Sequence, residues 1–222
     1  MSNEEQSINM IKFVIIGDKS VGKTSIITRL VKDKFEQEYQ PTSIIDTNKY
    51  RISNINNYVI NIVDTPGSKQ FSQSIIKEFD KTNFVFIIFD ITNKDSFESV
   101  NWWINDCELN KNRDKLQLIL IGNKSDLEQE RKVKKEEVKQ LAEEKCMKYY
   151  ETSALNKENI QKIFDDSVNN YIQSLNYTEN NPNTTNTLNI ESCLEIQINR
   201  KGEEINGKNK NCCICSIFWN NF

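Results

Sequence analysis

"GDKSVGKTS", residues 17–25, follows the apolar run "IKFVII" at 11–16 and precedes a stretch of helical character. It fits the pattern G-x-x-x-x-G-K-[ST] in the setting that gives the pattern meaning, a strand before and a helix after. Glycines at 17 and 22 admit positive φ angles that turn successive backbone N–H groups toward one anion, and the start of the helix adds its dipole. Gly17, Asp18, Lys19, Ser20, Val21, Gly22, Lys23, Thr24 and Ser25 are therefore read as a phosphate-binding loop. Lys23 would neutralise the outer phosphates, and Thr24 would place its hydroxyl on Mg²⁺. The plainer alternative is an ordinary strand-to-helix turn.

Outward from this loop the same alternation repeats. Apolar runs recur at 57–63 ("NYVINIV"), 84–89 ("FVFIIF") and 116–121 ("LQLILI"), and such runs fit strands covered on both faces. Between them Phe97, Val100, Ile104 and Cys107 recur at three to four residues, as do Val138, Leu141 and Ala142, and then Ile160, Phe164, Val168 and Tyr171. Strand and helix alternating about five times predict an α/β fold with a mainly parallel sheet. The stretch 36–63 has no helical pattern and reads as a hairpin turning near "SNINN" at 53–57. Only six glycines occur, and Gly17, Gly22, Gly67 and Gly122 stand at the ends of predicted strands, where α/β proteins bind ligands.

The chain has 222 residues, enough for one substantial core with appendages. Residues 1–9 read as a flexible N-terminus, 10–175 as the folded unit, and 176–222 as a disordered polar tail beginning "NYTENNPNTTNTLN". A net charge of −3 gives no reason to expect a nucleic-acid partner through bulk electrostatics. The chain contains no histidine, which excludes His-based triads and His-ligated metals. "MSNEEQSINM" is polar, so neither a secretory signal nor a membrane-spanning helix is expected, and the protein reads as cytoplasmic. In that compartment its six cysteines are expected to be reduced.

"NKSD" at 123–126 names the base. The carboxylate of Asp126 offers two acceptors for the adjacent N–H donors on the guanine edge, a pair that adenine lacks. Asn123 would tie this loop to the phosphate loop, and the Lys124 stem would cover one ring face. "ETSAL" at 151–155 follows another strand, so Ser153, Ala154 and Leu155 would border the base, with the Ala154 N–H at the guanine O6; the other reading is a helix cap around Ser153. In "DTPG" at 64–67, Asp64 would hold a Mg²⁺-bound water and the Gly67 N–H would reach a terminal phosphate only when one is present. A turn-forming Pro-Gly is the alternative.

With these motifs in order and spacing, the chain resembles the Ras superfamily of small GTPases and, through Phe71 in "SKQF" and "SFESVNWWIND" at 96–106, its Rab branch. The resemblance implies a P-loop, Ras-like G domain with a mixed, mostly parallel six-stranded sheet flanked by helices, binding GTP or GDP with Mg²⁺ as a monomer. It also implies that Thr42 in "YQPTS" adds its hydroxyl to Mg²⁺ in the triphosphate state, that Phe35 lies edge-on near the base, and that Tyr39 flanks the phosphates. Mg²⁺ would thus have Thr24, Thr42 and, through water, Asp64. Trp102 and Trp103 read as structure, one facing the core and the other its rim.

The sequence also departs from the family. Ser68 stands where a glutamine usually orients the attacking water, and a serine is about two bond lengths shorter and lacks an amide. Loss of one positioning group implies a deficit on the order of 10²- to 10³-fold. Catalysis would thus fall to Lys23, Thr42 and Gly67, with Ser68 a degenerate position. Pro66 replaces a small residue; Lys19 reads as a solvated loop lysine rather than one lying over the γ-phosphate, and its bulk would obstruct a partner's arginine finger. "SIID" at 43–46 and Val63 also differ from the Rab pattern, at positions expected to form much of the effector surface.

Three cysteines, Cys212, Cys213 and Cys215, crowd near the end in "NCCICSIFWNNF", with seven residues after the last. Rab-like chains end in prenylated cysteines, and "CSIF" at 215–218 would be a prenylation box if the chain ended there. Trimming, palmitoylation and no anchor remain open. The reading is a small GTPase switching in vesicle traffic on the cytosolic face of an internal membrane, with an exchange factor, a GTPase-activating protein and effectors as partners. A GTP-locked scaffold is the alternative. A P-loop nucleotide kinase shares the loop, but is disfavoured by "NKSD" and by the lack of an arginine-rich lid.

Overall fold

A computed structural model describes residues 8–36, 38, 41–52, 57–108 and 116–180, residues 177–180 in backbone only. Six strands form one sheet: β1 (Asn9–Gly17), β2 (Asp46–Arg51), β3 (Tyr58–Asp64), β4 (Phe84–Asp90), β5 (Gln117–Asn123) and β6 (Lys148–Thr152). Their order is β2-β3-β1-β4-β5-β6, parallel throughout except for the antiparallel β2–β3 pair. The helices are α1 (Lys23–Lys32), α2 (Ser72–Glu78), α3 (Lys94–Glu98), α4 (Val100–Glu108), α5 (Lys135–Glu144) and α6 (Ile160–Asn180).

The continuous apolar strands have the physical cause expected of them: alternate residues enter two different cores. Ile11, Phe13 and Ile15 of β1 pack on one face with Ile26, Phe86 and Phe164, beneath α1 and α6. Val14 and Ile16 pack on the other with Val85, Ile87, Trp103 and Val138, beneath α2, α4 and α5. Phe13 stacks on Phe84 at 4.6 Å and meets Phe86 edge-on at 5.2 Å, which adds directional attraction to the area that burial removes from water.

Three boundaries differ from the sequence pattern. The hairpin's first strand begins only at Asp46, and residues 41–45 before it form a loop that reaches the site. The predicted helix across 97–107 is broken at Ser99 into α3 and α4, with the Asn93 side chain capping α3 by accepting from Asp95 and Ser96 N–H. The apolar stripe ends near 175, but α6 runs on to Asn180, because a formed helix extends at little cost. Among the described residues no helix is long and apolar enough to cross a membrane.

Every strand that runs parallel to β1 stops at the same edge of the sheet. Gly17, Asp64, Asp90, Asn123 and Thr152 are the last residues of β1, β3, β4, β5 and β6. This is the edge at which open α/β sheets hold ligands.

Candidate functional site

A cleft of about 800 Å³ opens at that edge. It is lined by Ser20, Gly22, Lys23, Thr24 and Ser25 from the loop and α1, Phe35 and Thr42 from the segment before β2, Asp64 and Gly67 after β3, and Asn123, Lys124, Asp126, Ala154 and Leu155 from the two remaining loops. The elements therefore bring most of the predicted residues around one space. Gly17, Asp18, Lys19, Val21, Ser68 and Ser153 do not line it. Tyr39 and the three tail cysteines lie outside the described residues.

The loop is shaped by its glycines. Gly17 has φ of 140° and Gly22 of 94°. A Cβ on Gly17 would come 2.2 Å from the Ile88 carbonyl oxygen, and one on Gly22 would come 2.2 Å from Asn123 Nδ2. Gly22 caps α1 without any side-chain hydrogen bond, so among the described residues the first N–H groups of α1 have no side-chain acceptor. An anion placed there would satisfy them and meet the positive end of the helix dipole.

Lys23 is only 6 % exposed, and its ammonium donates to the Gly17 and Asp18 carbonyls at 3.0 and 2.8 Å. Burial lowers its pKa from 10.5 to about 8 against the opposing pull of Asp64 and Asp18. Asp64, buried at the end of β3, has its pKa raised by the same desolvation. Its Oδ2 accepts from Thr24 Oγ1 at 2.6 Å, and Thr24 Oγ1 lies 2.9 Å from Thr42 Oγ1. Asp64 Oδ1 is buried with no hydrogen-bond partner among the described residues. Two hydroxyls and one orphaned carboxylate oxygen form a hard, oxygen-only donor set that suits Mg²⁺, an ion that keeps few protein ligands and shares itself with phosphates. When bound, that ion supplies charge neutralisation between phosphate oxygens.

The base end is built from three loops tied together. Asn123 Nδ2 donates to the Val21 carbonyl at 2.9 Å and its Oδ1 accepts from Thr152 Oγ1 at 3.2 Å, so one buried side chain joins the phosphate loop, β5 and β6. Val21 itself is 1 % exposed and sits in the core, contributing its carbonyl rather than its side chain. Asp126 Oδ1 accepts from Ser153 Oγ at 2.5 Å, which orients the carboxylate and leaves acceptor capacity. Lys124 adopts φ of 68°, and its ammonium pairs with Asp90 Oδ2 at 2.5 Å. Asp90 is 5 % exposed, with Oδ1 accepting from Thr92 N–H and Thr92 Oγ1 at 2.8 and 2.7 Å. Phe35 is half-buried, packed on the first core face while it lines the cleft.

The departures fall on one small area. A Cβ on Gly67 would stand 2.5 Å from the Lys19 backbone nitrogen, so the segment after β3 rests directly on the phosphate loop. Ser68 follows it in extended backbone, half-buried, and Pro66 is buried. The Lys19 side chain is exposed. The expectation for Val63 needs correction: it is 1 % exposed, so it belongs to the second core face rather than to a docking surface. Ile44, at 74 % exposure, is the outward apolar residue there.

Sequence reasoning missed several supports. Trp103 is fully buried in α4 and donates from Nε1 to Asp18 Oδ1 at 2.8 Å, while Trp102 is half-buried beside it. Arg29 of α1 reaches the loop after β6, and Asp90 holds Lys124. Of these only Trp103 had a sequence signal, and it pointed to the core.

The chain matches the model of the Ras family over residues 12–173. It is 33 % identical over 176 residues to Ras-related protein Rab-2B of Dictyostelium discoideum, covering 78 % of this chain and 85 % of that one. It is 34 % identical over 167 residues to Ras-related protein Rab-27A of Rattus norvegicus, covering 70 % and 76 %. Similarity to Ras-related protein RABA4b of Arabidopsis thaliana is 30 % over 211 residues, covering 92 % of each.

Proposed function

Starting from a chain that belongs to the Ras superfamily of small GTPases, as a Rab-like member, we propose that it is a guanine-nucleotide-dependent switch in membrane traffic whose hydrolytic step is slow. GTPases of this family bind GTP and GDP, with Mg²⁺. In this reading residues 10–175 form the G domain, the Asp126 carboxylate selects guanine, the Ala154 N–H meets O6, and Lys23 with the α1 N-terminus holds the phosphates. Thr24, Thr42 and Asp64 hold the ion. The supporting arrangement is the convergence of these groups on one cleft.

One observation carries the slow hydrolysis: the residue after Gly67, at the contact with the phosphate loop, is a serine. Its hydroxyl has neither the reach nor the paired donor and acceptor of an amide to hold water in line with a phosphate. Single-turnover GTP hydrolysis by the Ser68→Gln variant should exceed that of the natural chain by about 10²-fold, the size expected for restoring one positioning group. Equal rates would remove Ser68 as the cause.

A second reading, a GTP-locked binding module, is favoured by Ser68, Pro66 and Lys19, three departures in the two segments that Gly67 brings together. Nucleotide extracted from protein purified from its own cells separates the two, since a locked module yields GTP alone and a slow enzyme yields mostly GDP. Exchange factor, activating protein and effectors would act at the segments around Thr42 and Ser68. Membrane attachment would come through lipid on Cys212, Cys213 or Cys215, which the intact mass of the native protein tests.

A further inference from the structure

We propose that Arg29 is a positioning residue that clamps the base-binding loop onto the phosphate-binding helix, and that this clamp sets how long a guanine nucleotide stays bound. The inference rests on the reading that the Ala154 N–H meets guanine O6. Lys23 and Thr24, at the phosphates, and Arg29, near the far end, belong to the same rigid helix, α1. The Arg29 side chain is 15 % exposed, and its guanidinium forks across the loop after β6: Nε donates to the Ala154 carbonyl at 2.9 Å and Nη2 to the Leu155 carbonyl at 3.3 Å. Nη1 turns back to the Asp33 carbonyl at 3.0 Å, anchoring the fork to the end of its own helix.

The loop needs such an anchor. Lys157 and Asn159 both hold positive φ, at 64° and 56°, a conformation that costs a lysine more than an asparagine. Ser153 and Glu158 close its base through two backbone hydrogen bonds of 3.2 and 3.0 Å, but Ala154 and Leu155 lie at the tip, inside that closure. Fixing the Ala154 carbonyl fixes the Ala154–Leu155 peptide plane, and through the Ala154 Cα it limits the swing of the preceding plane, which carries the Ala154 N–H. A planar, permanently charged fork suits two adjacent carbonyls; a lysine ammonium offers only a point charge. The pair of Asp33 with Lys157, at 2.8 Å, joins the same two elements, while its pair with Arg29, at 3.4 Å, stays within α1 and its cap; Asp33 is 63 % exposed, so solvent weakens both.

Dissociation of a fluorescent GDP from the full chain with Mg²⁺ tests the clamp. Arg29→Ala should release it roughly ten- to a hundredfold faster, the span for losing one charge-assisted hydrogen bond, with Arg29→Lys in between. Asp33→Asn should change the rate by less than about threefold. The specific readout is the preference for GDP over 6-thio-GDP, which senses O6. It should shrink in Arg29→Ala, while the preference for GDP over IDP, which senses the 2-amino group assigned to Asp126, is retained. A wild-type rate and wild-type preferences in Arg29→Ala overturn the proposal, and so do they in Arg29→Lys should the alanine variant not fold. If the natural protein itself fails to distinguish GDP from 6-thio-GDP, the O6 reading falls and the dissociation rates alone decide the role of Arg29.

Discussion

Lys23 illustrates how a single side chain can be held in a costly state for later use. Its ammonium is buried against two carbonyls, and the lowering of its pKa to about 8 reflects the cost of that burial. The unfolded chain keeps this proton up to about 10.5, the folded chain only to about 8. Between these values the unfolded state binds more protons, so stability rises with pH there, and below 8 the full penalty of roughly 3 kcal/mol applies. A bound phosphate reverses the balance by rewarding the charged form. Urea unfolding of nucleotide-free protein should therefore show a midpoint that rises from pH 8 to 10, while GDP affinity falls over the same window. A Lys23→Met variant should lose both trends.

At the level of elements, the segment after Ser68 is held from one side by α4. Lys69 Nζ stands 5.1 Å from the Trp102 ring centre, and Ser72 Oγ donates to Asp106 Oδ1 at 2.7 Å, so α4 steadies the segment through contacts between protein side chains. A cation over a ring that is still partly open to solvent, as Trp102 is, contributes about 0.5–1 kcal/mol. Lys69→Ala should then speed amide exchange across 69–76 by about two- to fivefold, measured on the GDP form by mass spectrometry. The elements themselves were legible to different degrees. β1, β4 and β5 announce themselves because both faces are covered; β2, "DTNKYR", is an edge strand with mostly exposed side chains and has no apolar rhythm to read. The break between α3 and α4 was invisible because the apolar spacing from Phe97 to Cys107 runs through it, while the Asn93 cap and the turn at Ser99 set the boundaries.

For the whole molecule, the sheet places Gly17, Asp64, Asp90, Asn123 and Thr152 on one edge, and four short motifs far apart in sequence become one site. Those motifs were readable because phosphate and base binding constrain residue type and spacing together, as at Lys23 and Asp126. Arg29 and Asp90 were not readable, since their partners are backbone carbonyls or a lysine on distant loops, and nothing local in sequence marks such a pairing. Trp103 shows the same limit: its ring fills the core, and only the three-dimensional arrangement reveals Asp18 at its Nε1.

That indole has an optical consequence. Asp18 binds Trp103 through its carboxylate and Lys23 through its carbonyl, so drawing the ammonium toward an incoming phosphate alters the electric field around a buried fluorophore. The unlabelled protein should report its own occupancy: its emission maximum should move when GDP is stripped, a response abolished by Trp103→Phe and kept in Trp102→Phe.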